Sequence, residues 1–307
     1  MCIGSGVCQS GRTDRMPLPE DVTVLENGPL TAVFQPKAGG RMLRLTHRDH
    51  GEVLVPMGAE PFDPLYWPKA GAYPLFPFHN RLEGGAFTFE GRSFQVTPHP
   101  MSPPDAIHGP AHRRPWSVTA HDRTSLTMVL DYAADDDWPF DFRAEQSFSL
   151  GSGGLTLRLS LKNKAEAAMP AGFGWHPYFA AELSRPAFCG ASLEHVTDAI
   201  GLPAGETWPH ISADMLPAGE FTRHFSKARS AEVLVDCGLV VRMEWQSPLG
   251  YFVAHRMPTY LCLEPTSHLA GALRYADSEK KAFGFTALSP GEVIQAEIAV
   301  TVFKSHR

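Results

Sequence analysis

Leucine recurs at every second position from Leu155 to Leu161, with Thr156, Arg158 and Ser160 between. Successive side chains of a strand point to opposite faces, so this spacing gathers the leucines on one side of an extended chain. Leu126, Met128, Leu130 and Tyr132 repeat the pattern, as do Ile294, Ala296, Ile298, Val300 and Val302. A period of two over such lengths marks antiparallel strands with one face in the core and one in water. Shorter strands are expected at Thr31 to Phe34, Ala86 to Phe89, Phe94 to Thr97, Glu232 to Val235 and Val240 to Trp245. Breaks such as Glu90-Gly91, Gly151-Ser152-Gly153-Gly154 and Ser289-Pro290-Gly291 suit hairpins and tight turns. Helical periodicity is scarce, and the Pro- and aromatic-rich stretch from Pro56 to Asn80 reads as an ordered loop packed over the sheets. The expected fold is all-β: one large antiparallel β-sandwich domain over residues 21–307, preceded by a disordered leader over 1–20.

The chain's 307 residues suffice for a substantial core, and 43% hydrophobic with 20% charged residues is the balance of an ordinary globular protein. A formal charge of −6 argues against nucleic acid or an anionic membrane as partner. No apolar run is long enough to span a bilayer. Met1 to Glu20 is rich in Gly and Ser and lacks the apolar stretch of a secretory signal, with Met16 an alternative start. Cys2, Cys8, Cys189, Cys237 and Cys262 are odd in number and scattered, which reads as reduced thiols in a cytoplasmic protein. Asp135-Asp136-Asp137 lacks the spacing of a calcium loop and reads as a solvated turn.

Four segments carry chemistry. Tyr260 to Pro265 is an apolar strand ending in Glu264, a carboxylate that burial would turn into a better proton acceptor; a surface Glu at a strand end is the plainer alternative. In Phe173-Gly174-Trp175-His176-Pro177-Tyr178-Phe179 an imidazole sits among aromatic rings, as in a sugar-binding cleft or as a core histidine bonded to a carbonyl. His108-Gly109 precedes Pro110 and His112; Gly and Pro oppose the helix that a two-His metal site would need, so His108 reads as a loop histidine. Asn80-Arg81 offers a mixed donor–acceptor and a fixed donor fork, suited to vicinal hydroxyls, unless Arg81 simply pairs with Glu83.

Taken in order, Asn80-Arg81-Leu82, His108-Gly109, His176-Pro177-Tyr178-Phe179, Glu264-Pro265 and the closing Leu288-Ser289-Pro290-Gly291-Glu292 resemble the successive signatures of the aldose 1-epimerase (galactose mutarotase) family, over about Leu30 to Phe303. The resemblance implies a galactose mutarotase-like supersandwich and a small-molecule sugar substrate, with no cofactor and no metal. It implies that Glu264 is the general base on the anomeric hydroxyl and His176 the general acid at the ring oxygen. His108 would be the second, substrate-bonding histidine, with Asn80 and Arg81 positioning the sugar. Ring opening, rotation and reclosure then exchange the α and β anomers.

One departure stands out. The family pattern has an Asp in a D-x-x-F stretch that binds sugar hydroxyls, and the counterpart here is Thr222-Arg223-His224-Phe225. Asp236 is a candidate substitute, and Arg223 would suit a charged sugar. The alternative function is a catalytically silent sugar-binding or sugar-sensing protein on the same fold. A glycoside hydrolase ranks below both, because only one carboxylate lies in a candidate site.

Overall fold

The computed structural model describes residues 19–305 apart from 20, 59, 67 and 212–214, so the expected leader over 1–20 lies outside the described residues save Pro19. The alternating segments are strands, and their parity sets what is buried. In Gly154–Asn163 the four leucines are buried, and in Val293–Lys304 Ala296, Ile298, Val300 and Val302 are buried with Glu297, Ala299 and Thr301 between. These strands belong to an antiparallel eight-stranded sheet ordered Ser117–His121, Ser125–Tyr132, Phe142–Gly151, Gly154–Asn163, Val293–Lys304, Leu239–Trp245, Ser230–Leu234, Ala187–Cys189.

A second, eleven-stranded sheet holds the remaining long strands. Its main path runs Thr23–Asn27, Leu30–Gln35, Arg41–His47, Ala72–Leu75, Gly174–Phe179, Tyr260–Thr266, Tyr251–Met257, Phe221–Ser226, Leu193–Thr197, Pro203–Pro209. The core lies between the two sheets. Phe34 of the larger sheet meets Phe148 of the smaller with ring centres 4.6 Å apart, and Phe252 stacks on Trp245 at 5.5 Å.

Two expectations are corrected. The stretch from Pro56 to Asn80 is not loop throughout: Ala72–Leu75 is a fully buried strand paired with Gly174 to Pro177. Pro74 hides it, because proline lacks the N–H that an interior strand normally uses. The expected strand Phe94 to Thr97 ends at Gln95 and forms, with Ala86–Phe89, a hairpin apart from both large sheets. Its turn residues Glu90 and Gly91 both have positive φ, 49° and 72°, the geometry that matches strand twist in a two-residue hairpin. The acidic run pairs with arginines, Asp135 with Arg114 at 2.8 Å and Asp137 with Arg113 at 3.3 Å, as a charge-neutralised turn. Among the described residues no helix is long and apolar enough to cross a membrane.

Leu159 is fully buried at the middle of the smaller sheet. Leu159→Ala is therefore expected to lower unfolding free energy by about 2–5 kcal/mol, read from urea unfolding.

Candidate active site

Gly174–Phe179 and Tyr260–Thr266 are neighbours in the larger sheet, and every residue of both is buried. Their register pairs Gly174 with Thr266 and Tyr178 with Cys262. His176 and Glu264 therefore stand opposite each other on one face, where cross-strand side chains meet. His176 Nε2 lies 3.2 Å from Glu264 Oε1. On the other side of His176 the register places Tyr73, whose ring stacks on the imidazole at 4.6 Å, and Tyr178 stacks on it at 4.7 Å.

The same face continues across the sheet in two rows. Val253 stands opposite Glu264 and His224 opposite Val253; in the next row His255 stands opposite Cys262 and Thr222 opposite His255. Above these rows lies a cavity of about 340 Å³ lined by His176, Glu264, Thr222, His224, His255, Tyr260 and, from loops, Lys69, Asn80, Arg81 and His108. All five residues expected from the sequence to form the site thus line one cavity.

His108 and Asn80 are fixed by each other. A two-residue ladder pairs Arg81 with Ile107, and just beyond it Asn80 and His108 both take positive φ, 58° and 62°. The His108 amide donates to the Asn80 carbonyl at 3.0 Å, and the Asn80 amide donates to His108 Nδ1 at 3.1 Å. With Nδ1 accepting, a neutral His108 ring carries its proton on Nε2 and is a donor there. Asn80 Oδ1 is occupied by the Arg81 amide at 2.8 Å, and Arg81 Nη1 donates to the Ile200 carbonyl at 3.2 Å rather than pairing with Glu83.

Burial shapes the electrostatics. It pushes the Glu264 carboxyl up to about 8, with Lys69 pulling the other way. It holds His176 well below the usual imidazole range, helped by His108, and lowers His108 to about 3. Glu264 Oε2 and His176 Nδ1 have no hydrogen-bond partner among the described residues, so the pair keeps bonding capacity for a ligand. One ligand atom each from His176, Cys262 and Glu264 lie within 4.8 Å of one another, the only grouping among the described residues with a metal-ligand composition. Burial pushes the Cys262 thiol well up, with Glu264 adding to it, which opposes the thiolate a metal would require. The arrangement is better described as a close acid–base pair beside a neutral thiol.

Two expectations about the altered segment are corrected. Asp236 does not line the cavity; it pairs with Arg185 at 2.6 Å. Arg223 is also absent from the lining and pairs with Glu194 at 3.2 Å, because alternation in Phe221–Ser226 turns Thr222 and His224 inward instead. His112 is fully buried against Tyr73 at 5.2 Å and outside the lining. Sequence reasoning missed Lys69 and His255. Lys69 is a lone cation in a Pro- and aromatic-rich stretch, and His255 is visible only through its register with Cys262.

Gly109 has φ +64°, and a Cβ there would stand 2.0 Å from the Phe76 carbonyl oxygen. Gly109→Ala is expected to cost well over ~1 kcal/mol in denaturant unfolding, through strain and clash together, and to displace His108.

Known proteins agree with this architecture. The model of the family described as aldose 1-epimerase matches residues 21–237. The uncharacterized protein YphB of Escherichia coli K12 is 34% identical over 110 residues, which is 36% of this chain and 37% of YphB. The matched span is thus little over a third of that relative's length. A galactose mutarotase-like protein from Clostridium acetobutylicum superposes with a TM-score of 0.79 at 20% identity, covering 92% of this chain and 95% of that one. A GalM/aldose epimerase homologue from C. elegans gives 0.79 at 14% identity, covering 92% and 99%. Identities this low speak for the fold alone, but the family match spans well over half of the 307 residues, and on that ground the chain belongs to the aldose 1-epimerase family.

Proposed function

We propose that this protein interconverts the α and β anomers of an aldose by acid–base ring opening and reclosure. The observation that carries the reading is the buried Glu264–His176 pair, 3.2 Å apart, on the floor of a cavity also lined by His108. Glu264 as carboxylate removes the proton from the anomeric hydroxyl. His176 delivers a proton to the ring oxygen as the C1–O5 bond breaks, and the His108 Nε2–H steadies that oxygen or a neighbouring hydroxyl. Rotation about the C1–C2 bond and the reverse transfers give the other anomer. Acid and base return to their starting states, so no co-reactant is consumed. A silent sugar binder would use the same cavity, and Thr222 in place of the family's Asp is what favours it. A binder has no use for a buried base matched to a buried acid, which weighs for the enzyme.

Polarimetry or NMR of anomer exchange, with and without protein, tests the reading. Glu264→Gln keeps the side-chain shape and is expected to lower kcat/KM by about 10²–10⁴-fold while sugar binding survives; full retained activity would refute the base assignment.

Two pH effects follow. Catalysis needs the base free and the acid protonated, so the pair works with one shared ionisable proton. Glu264 is raised to about 8 and His176 is lowered, so kcat/KM should be level from below 6.5 to near 8 and decline above it. For stability, the folded carboxyl titrates at about 8 against an ordinary 4.5, so its contribution is complete below 4.5 and is lost as pH rises through 8. Thermal unfolding should therefore show Glu264→Gln gaining on the parent across that window.

A further inference from the structure

Resting on the epimerase reading, the sheet face also bears on the hydroxyls that the sugar presents away from its reacting carbon. Where the family pattern opens its D-x-x-F stretch with a carboxylate, this strand has Thr222, and Thr222 Oγ1 is already engaged with His255 Nδ1 at 2.8 Å. Two residues on, and so on the same face, His224 is 1% exposed and lines the cavity. Its Nε2 lies 3.1 Å from the Gly201 carbonyl oxygen, and a carbonyl can only accept, so Nε2 carries the ring proton. Burial lowers the imidazole to about 4, so the ring is neutral at ordinary pH. Nδ1 is then a bare acceptor, and it has no hydrogen-bond partner among the described residues.

The row Glu264, Val253, His224 supplies the spacing. Neighbouring strands of a sheet lie about 4.8 Å apart, so two steps separate the Glu264 and His224 backbones by ~10 Å. That span holds one pyranose ring with a hydrogen bond at each end. Val253 stands between them, 3% exposed and with a shorter side chain, so it leaves room above it and meets the ring's apolar C–H face. We propose that His224 Nδ1 accepts the hydrogen bond of the sugar's C4 hydroxyl, across the ring from the anomeric carbon held at Glu264, and sets specificity at that carbon. A neutral acceptor thereby stands in for the family's carboxylate. Gly201 is a positioning group, because its carbonyl fixes which ring nitrogen is bare.

Glucose and galactose differ only at C4, and removing the C4 hydroxyl turns both into the same sugar. Anomer exchange would be followed for both, for that shared 4-deoxy sugar, and for the 2-deoxy and 6-deoxy forms as controls, using the parent and His224→Phe. One hydrogen bond to a buried neutral acceptor corresponds to about tenfold. The parent is expected to show kcat/KM about tenfold higher for its better epimer than for the 4-deoxy sugar. His224→Phe is expected to bring that ratio close to one and to leave the 2-deoxy and 6-deoxy ratios as they are in the parent. A residue that only held the Gly201 turn would slow every sugar alike and leave all ratios unmoved; that result, or a parent indifferent to the C4 hydroxyl, overturns the proposal. A second arm needs no variant: a 4-fluoro sugar, whose fluorine cannot donate, should fare as poorly with the parent as the 4-deoxy sugar. A 4-fluoro sugar turned over like its hydroxyl parent sinks the acceptor role. If no sugar is accelerated above Glu264→Gln, the epimerase reading fails, and equilibrium binding of the same sugars decides the C4 contact. Binding that weakens on loss of the C4 hydroxyl in the parent but not in His224→Phe then upholds the proposal, and any other pattern ends it.

Discussion

The site depends on a carboxylate placed where water does not reach. Glu264 is 3% exposed in a strand buried along its whole length, and the cost of that placement is met by one imidazole 3.2 Å away. One carboxylate oxygen remains unpaired, which in a protein interior costs about 1–3 kcal/mol. The stacked rings of Tyr73 and Tyr178 against His176 make this tolerable, because they fix the imidazole in place before any ligand arrives. A group desolvated during folding does not have to be desolvated again when sugar enters, so folding energy supplies part of the site's readiness.

How far a sequence reading reaches follows from this. Period two is a local property, so it revealed the fold class and most strand positions without any knowledge of pairing. His108, His176 and Glu264 stood out because each sits beside Gly or Pro in a short, unusual string, as in His108-Gly109 and Glu264-Pro265. The rows across the sheet were not legible. That His255 and Thr222 share a row with Cys262 depends on three strands being adjacent and in one register, and neither is written in any one segment. Ala72–Leu75 was missed for a different reason, since its proline is atypical of an interior strand.

Parity explains why the altered segment misled. In Phe221–Ser226 one residue decides between cavity and surface, and Arg223 falls on the side that meets Glu194 while Thr222 and His224 fall on the other. A slip of one position would exchange them. The positive charge that composition placed in this strand is therefore neutralised locally. Lys69 and Arg81 line the cavity instead, Lys69 from a stretch that looked like covering loop.

Arg41 stands behind the acid–base pair. Its guanidinium lies over the Tyr73 ring, 4.5 Å from the centroid, and the same ring stacks on His176 at 4.6 Å. A fixed cation so near opposes a positive charge on the imidazole, and burial of His176 acts in the same direction. On Glu264 the influences oppose each other, burial raising the carboxyl and Lys69 favouring its ionised form. The proton of the pair thus rests on Glu264, kept there by burial and opposed by Lys69. That balance is what a reaction passing a proton out and back requires. Lys69 and Glu264 line the same cavity, so a change of charge at its wall is felt at its floor.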